Sequence, residues 1–499
     1  MGTTNRVSDR DILSTSILTD EMRGSYDGPL HQVDLNHRAR DLYTSSAGAE
    51  VERSRLNNSC APISSLPNEI LAAVFETGHK SSVSNYSQPS FGSLVTQVTE
   101  RWRNVALSTP LLWTHIRIAF FTNSTTSIAK AEAYLSRSGA LPLDLFLEVA
   151  EHDEDDEDEF LDVLDVLGCH AARWRSLWVD SEASRYGIRD LLALLPVSAP
   201  RLQRVQISME PHEYYEPGEN STQHIFSGGA PLLTTVRIRG LGLHLCLPPV
   251  GVTTLELHTP MYEMRIEPAR LASLLASLSS LITLVINGDF VVGGPTPKII
   301  VTMPSLRHFH LLTISYEQMP WLLKMISAPQ LHTLLLENVI ALDIDDFDWT
   351  SGPSQYPELR SLTILTEYND SFGPVPFMNV IRTFPKVKHF TLANGHLDDF
   401  LTAVLDYFSI YAWPGWPDLH TMTLVNRSQH SVPDLLIKTV SERFCSGHPI
   451  RMLRLSPSLI TALLESDDFE RLVAQVNVEE TILYSETDSF ADRWPNEND

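Results

Sequence analysis

One phrase returns along most of this chain and limits what it can become. A small residue, an aromatic one or Met is followed by Pro and any residue, and then by apolar residues spaced three and two apart. It reads Ala199-Pro-Arg-Leu-Gln-Arg-Val-Gln-Ile207 and returns at Ala230, Met303, Ala328, Tyr356, Phe384 and Trp416. Copies without the Pro start at Trp174, Val252 and Leu281, and a distorted one starts at Ile450. The first apolar residues stand at 174, 202, 233, 252, 281, 306, 331, 359, 387, 419 and 450, so successive intervals run from 19 to 32 residues. The last two apolar positions alternate with polar ones, which is the period of a half-buried strand. Between the phrases lie stretches of helical periodicity: Ile188 to Leu195, Pro268 to Leu278, Gln318 to Ile326, Val375 to Phe384, Asp398 to Ser409 and Val432 to Phe444. Strand then helix, repeated, predicts a parallel sheet with helices on one side. No single repeat can bury its apolar phrase alone, so the copies must stack on one another as one array.

A Leu-x-x-Leu-x-Leu strand at this period resembles the leucine-rich repeat. The irregular spacing, and the lack of Asn or Cys after the strand, are similar to the degenerate repeats in the arms of F-box proteins. The resemblance implies an α/β solenoid, a horseshoe with a parallel concave sheet, over residues 141–485. The apolar positions fill the space between sheet and helices. The residues between and beside them point outward from the concave face. That row holds Arg204, Gln206, Arg237, Arg239, Glu256, His258, His308, His310, Glu337, His389 and Arg454. Arg237, Arg239, Glu256, His258, His308 and His310 are the candidate substrate-facing residues. Five of these six are Arg or His in the outer rows of an acidic protein, which favours an anionic partner. Such binding should weaken with salt and be stronger near pH 6 than near pH 8, where an ordinary His is neutral.

Ahead of the repeats, residues 61–118 form a different unit. Ser65 can cap a helix, Pro67 suits its first turn, and Glu69 favours its positive end. Leu66, Ile70, Leu71, Val74 and Phe75 then share one apolar face. A second helix places Leu94, Val98, Trp102, Val105 and Ala106 together, and Pro110 stops it before a strand-like run from Thr114 to Ile118. Roughly 40 residues is near the floor for a core that stands unaided, so part of this surface must pack on something else. Leu66-Pro-x-Glu-Ile-Leu71, then Phe75, Val98-x-x-x-Trp-Arg103 and Pro110-x-Leu-Trp113 resemble an F-box. The opening Pro62-Ile-Ser-Ser-Leu-Pro is similar to the F-box-like families of mushroom-forming fungi. Thr99-Glu-Arg-Trp102 stands where that family commonly carries a Cys-Arg-x-Trp helix, and the loop from Gly78 to Ser93 is long and polar. The resemblance implies docking on a Skp-family adaptor, and through it on cullin–RING machinery, with Leu66, Pro67, Ile70, Leu71 and Phe75 as the adaptor-binding residues.

The remaining segments are read from composition. Residues 1–30 read as disordered, 31–60 as a weak helical lead-in, 119–140 as a linker helix and 486–499 as a polar tail. Eight carboxylates crowd the nine residues 151–159. They lack the spaced ligands and the Gly that a calcium loop needs, so they read as a solvated acidic loop, a possible internal competitor for the concave face. A net charge of −25 argues against nucleic acid, because phosphate contacts need clustered Lys and Arg. Four scattered cysteines, Cys60, Cys169, Cys246 and Cys445, suit a reducing compartment and form neither a disulfide framework nor a zinc site. The first residues lack an apolar signal core, and Arg6 stands where N-myristoylation wants Ser or Thr. No apolar run reaches the roughly 18 residues of a membrane span, so no membrane partner is expected.

Catalytic chemistry is not visible. There is no nucleophile elbow, no phosphate-binding Gly-rich loop, no His-Glu-x-x-His and no dinucleotide fingerprint. His308 and His310 share a strand face, but no third metal-type ligand follows, so no metal and no cofactor are expected. Trp113, Trp174 and Trp416 sit in apolar phrases and are expected in the core. The expectation is a non-enzymatic, intracellular protein of cytoplasm or nucleus. It would be the substrate-recognition subunit of an SCF-type cullin–RING ubiquitin ligase binding an unknown protein substrate. The alternative is a scaffold of the same architecture that recruits partners without ubiquitylation.

Overall fold

The structure is a computed structural model. It describes residues 61–82, 90–120, 127–149, 157–181, 195–209, 223–240, 245–246, 251–258, 266–291, 299–314, 318–339, 355–366, 373–394, 397–411, 414–425, 432–464 and 469–481, with Ala49 and Asn58. The readings of residues 1–30, of most of 31–60, of 83–89, of 151–156, of 188–194 and of the C-terminal tail lie outside these.

Each repeated phrase makes a turn and then a strand. The turn is closed by a backbone bond across three residues, as from Leu202 N to Ala199 O at 3.1 Å and from Leu419 N to Trp416 O at 3.0 Å. Pro stands second in that turn, where its fixed φ suits the geometry. The residue before it is buried whether small, as Ala199 and Ala230, or aromatic, as Phe384 and Trp416. That explains why the phrase tolerates both but not a charge.

Among the described residues, fourteen strands make up the main sheet of a mixed α/β architecture. They are β1 (His115–Phe120), β2 (Leu143–Val149), β3 (Trp174–Ser181), β4 (Arg204–Met209), β5 (Thr235–Arg239), β6 (Thr254–His258) and β7 (Thr283–Asn287). The rest are β8 (His308–Leu312), β9 (Thr333–Val339), β10 (Ser361–Thr366), β11 (His389–Ala393), β12 (Thr421–Val425), β13 (Met452–Leu455) and β14 (Asn477–Glu480). They form a single sheet whose order is the chain order, and every neighbouring pair is parallel.

The register carries one residue of each phrase into the same row as its counterpart next door. One inner row runs Ile116, Leu145, Leu177, Val205, Val236, Leu255 and Leu284, and on through Phe309, Leu334, Leu362, Phe390 and Met422 to Leu453. None of them is more than 1 % exposed. At roughly 25 cal/mol per Å² of apolar surface, such rows are the main source of the sheet's stability.

Helices cross over between strands and cover that inner face. They include α4 (Ser127–Arg137), α5 (Glu157–Gly168), α6 (Pro268–Ser277), α7 (Gln318–Met325), α8 (Pro374–Thr383), α9 (Leu397–Tyr411) and α10 (Pro433–Cys445). Pro opens α6, α8 and α10 at a position whose missing N–H costs nothing. Phe390 of β11 stacks on Phe400 of α9 at 4.6 Å and meets Trp416 at 4.7 Å, so strand, helix and turn share one aromatic cluster. Trp113, Trp174 and Trp416 are all buried.

The first helices form a separate layer against β1. They are α1 (Asn68–Ser82), α2 (Phe91–Val95) and α3 (Glu100–Leu107), followed by a 3-10 turn at Pro110–Trp113. Three expectations change here. The second helix is two helices, because the Thr99 hydroxyl accepts from Trp102 N at 3.0 Å and starts α3 afresh. Ser65 does not cap α1, because its hydroxyl donates to Pro62 O at 2.7 Å inside a preceding 3-10 turn. Residues 119–140 are not a linker: β1 runs to Phe120, pairs with β2, and α4 is the crossover between them. The sheet begins at His115 because Ile116 and Ile118 alternate into the same core as Leu145 and Leu147.

Gly92 of α2 lies close against the backbone of the Pro110–Trp113 turn. A Cβ there would stand 2.8 Å from the Leu112 carbonyl oxygen and 3.3 Å from Leu112 Cβ. Gly92→Ala should therefore destabilise the layer by about 1–3 kcal/mol, read as a lower thermal midpoint. An unchanged midpoint would mean that α2 and the Pro110–Trp113 turn can move apart.

Candidate functional site

The outward face of the sheet carries the candidate residues, and its register sorts them. Gln206, Arg237, Glu256, Val285 and His310 stand in one row, and Ser208, Arg239, His258 and Asn287 in the next. A third row runs Arg204, Thr235, Thr254, Thr283, His308, Thr333, Ser361 and His389.

Arg237, Glu256 and His258 are brought together. Arg237 Nε lies 3.0 Å from Glu256 Oε2, and His258 Nε2 lies 3.9 Å from the same oxygen. Burial alone would raise the Glu256 carboxyl, but His258 and the Arg237 charge outweigh it and hold it below its ordinary value. Asn287 extends the chain, with its Nδ2 3.2 Å from His258 Nδ1, and the Thr313 hydroxyl donates to Asn287 Oδ1. Arg239 stands beside His258 in register. His308 and His310 stand on β8, two strands beyond β6, where His308 Nδ1 lies 3.3 Å from the Thr333 hydroxyl.

This changes the electrostatic expectation. Arg237 is matched by a carboxylate within the sheet, so the centre of the face is a charge-compensated network. Burial, with His332 and Arg307 beside it, pushes His308 below its ordinary value. Gln206 and Glu337, expected to point into solvent, are buried within the face.

The outer face of α1 is the second surface. Leu71 and Phe75 are buried at 0 % and 1 %, with the Phe75 ring 4.9 Å from Trp102. Ile70 and Val74, one turn apart, are 50 % and 46 % exposed. Pro67 is exposed and Leu66 half-buried. The five expected adaptor residues therefore divide, with Leu66, Pro67 and Ile70 at the surface and Leu71 and Phe75 in the core. Leu94 of α2 and Val98 of the turn before α3 are also exposed, at 42 % and 48 %. Arg101, unnoticed in the sequence, clamps the approach to α1: its Nε donates to Asn68 Oδ1 at 2.9 Å, and Nη2 donates to Leu66 O.

A third cluster was missed altogether. His115, Asp144 and Ser176 stand in one outward row on β1, β2 and β3. Asp144, 4 % exposed, accepts from Arg175 Nε at 3.0 Å and from the Ser176 hydroxyl, and lies 3.0 Å from His115 Nε2. Burial alone would raise its carboxyl, but His115 and Arg175 hold it well below the usual carboxylate range. His79, from the last turn of α1, lays its ring 4.5 Å from the His115 ring. Burial and the neighbouring His115 pull His79 down to about 4, against the pull of Asp144. The signal was available: His115 and Asp144 alternate with inward apolar residues on adjacent strands. It needed β1 to be counted as part of the sheet.

Among the described residues no group of three or more His, Cys, Asp or Glu could hold a metal ion, and no helix is long and apolar enough to cross a membrane. No protein-family model matches the chain, and no curated protein matches it.

Proposed function

We propose that the chain is a substrate-recognition subunit of an SCF-type cullin–RING ubiquitin ligase. In this reading residues 61–118 are an F-box-like module that docks on a Skp-family adaptor. The sheet and its helices are a leucine-rich-repeat-like solenoid whose polar face receives a protein substrate. The chemistry of ubiquitin transfer then belongs to the partners, and this chain brings two proteins together.

The observation that carries the reading is the division of α1. Its apolar residues point in two directions, Leu71 and Phe75 inward and Ile70 and Val74 outward, and Leu94 and Val98 of the same layer are exposed too. An isolated layer would gain nothing from the outward set, whereas an apolar patch held on a firm base is what a helix-docking partner needs. Leu71 and Phe75 support the patch from beneath, and Leu66, Pro67 and Ile70 meet the adaptor.

Ile70→Glu with Val74→Glu should weaken adaptor binding by about 100-fold or more, since each buried aliphatic residue is worth about 1.5–3 kcal/mol. The thermal midpoint should hold, because neither residue is in the core. Unaltered affinity for a Skp-family adaptor would overturn the reading. Adaptor binding without cullin-dependent turnover of a captured partner would turn it into a scaffold.

A further inference from the structure

We propose that His115 and Asp144 are positioning residues that set the angle at which α1 is held against the sheet. This rests on the docking reading above, because it concerns how the adaptor site is oriented toward the polar face.

The geometry is a continuous polar chain. It starts at His79 in the last turn of α1, passes to the His115 ring on β1 at 4.5 Å, and to Asp144 on β2 at 3.0 Å. It ends on β3, where Arg175 and Ser176 both donate to the Asp144 carboxylate. One buried carboxylate thus gathers two neighbouring strands and, through His115, the helix.

Apolar packing alone leaves a helix free to slide or rotate on its seat, because dispersion contacts are non-directional. Arg101 ties only the start of α1, where its Nε donates to Asn68 Oδ1; further along, Leu71 and Phe75 sit in the common core, and the Phe75 ring meets Trp102 at a tilt. A hydrogen-bonded imidazole is different. The bond from His115 to Asp144 fixes the plane of the ring, and His79 lies against that plane. The ring's tilt then sets the tilt of α1. The two ends of the chain do separate jobs: Arg175 and Ser176 hold Asp144 in place, and Asp144 holds His115.

The arrangement also accounts for a carboxylate in a row where several later strands carry Thr. Thr235, Thr254, Thr283 and Thr333 occupy the same row in later strands, whereas His115, at the Asp144 position on β1, meets a ring from α1. A buried charge tied by several bonds favours one arrangement over near alternatives, which is the use for which its desolvation cost is tolerated.

The test measures orientation in the full chain. Spin labels are placed at exposed Ala73→Cys on α1 and at exposed native Cys445 on α10, with Cys60, Cys169 and Cys246 replaced by Ser. The width of the distance distribution is read by pulsed dipolar spectroscopy. His115→Phe keeps a ring but loses the bond to Asp144, and it should broaden the distribution about twofold in protein kept well below its own, lowered thermal midpoint. His115→Gln, which can still donate to Asp144, should restore most of the narrowness. Asp144→Asn should broaden it further; should that variant fail to fold, the His115 pair still decides. A His115→Phe distribution as narrow as wild type overturns the inference.

This readout needs no adaptor, so it stands apart from the docking reading. A narrow wild-type distribution that His115→Phe broadens supports positioning even where no adaptor binds. Adaptor binding with no broadening removes the positioning role and leaves the docking patch intact. Where both hold, His115→Phe should keep adaptor affinity within about twofold and lower partner ubiquitylation at saturating adaptor, which loss of docking would not reproduce.

Discussion

Acidifying the protein from pH 7 to pH 5 should weaken the hold of the sheet on α1 by about 2 kcal/mol, and His79→Phe should remove most of that loss. Docked, the His79 ring takes a proton only near pH 4, because burial and the neighbouring His115 oppose the charge. Released, it takes one at an ordinary value near 6.5. The contribution is therefore complete above pH 6.5 and is lost as pH falls from there toward 4. Asp144 acts in a lower window. Its carboxyl is depressed when folded, so its contribution persists until pH falls below the ordinary Asp value of about 3.9. The two groups can be told apart by pH alone. The protection factors of the α1 amides, with the intrinsic exchange rate at each pH divided out, should fall on acidification from pH 7.5 to 4.5 in wild type and stay nearly level in His79→Phe. Parallel slopes in the two proteins would show that His79 is not the sensitive group.

The parts of the fold that were legible in the sequence are those set by local pattern. Val205 and Ile207, Val236 and Ile238, Leu334 and Leu336 alternate with polar residues and all point inward. Helix limits were also readable: Pro268 to Leu278 became α6 and Val432 to Phe444 became α10, each within a residue or two. A Pro at a helix start and a Pro-containing turn act through backbone geometry, which distant contacts rarely override.

What was lost depended on competition or on register. Ser65 and Thr99 are both plausible caps, and only the structure decides that one hydroxyl is taken by Pro62 O and the other by Trp102 N. Ile70, Leu71, Val74 and Phe75 are chemically alike, so the sequence gathers them on one face. A helical step of about 100° nevertheless parts them into a buried and an exposed pair. Arg237 and Glu256 look like independent surface charges until the strand register sets them 3.0 Å apart. The sequence therefore revealed which residues face outward and their formal charges, but not which charges cancel. His79 gave no signal, because nothing near it in the sequence predicts a histidine neighbour on β1.

Replacing Arg443 by Ala should cost about 3–5 kcal/mol, the largest single-residue effect expected in the C-terminal half. Arg443 lies in α10 and is 3 % exposed. Its Nη1 donates to Gly415 O at 2.7 Å and its Nη2 to Trp416 O at 2.8 Å. Burial pulls the guanidinium down to about 10, so it remains charged at neutral pH. Its two acceptors belong to a backbone that cannot easily turn elsewhere. Trp416 has φ +51°, a conformation that L residues adopt reluctantly. A Cβ on Gly415 would come within 2.6 Å of Ile381 Cγ2, so that residue is seated tightly against α8. Removing the guanidinium leaves two buried carbonyls without their donors and opens a void between α9 and α10. The damage should spread to β12, because the turn that Arg443 grips is the one that launches it. The Trp416 ring also supports Phe390 of β11 and Phe400 of α9. Arg443→Lys can renew at most one of the two bonds and should recover less than half of the loss. Arg443→Met fills the space without either bond. It should fall between Ala and wild type, because removing a buried charge recovers some desolvation cost. Chemical denaturation would give the order wild type, Lys or Met, then Ala. A Met variant as stable as wild type would show that the two carbonyl bonds contribute nothing beyond the cost of burying the charge.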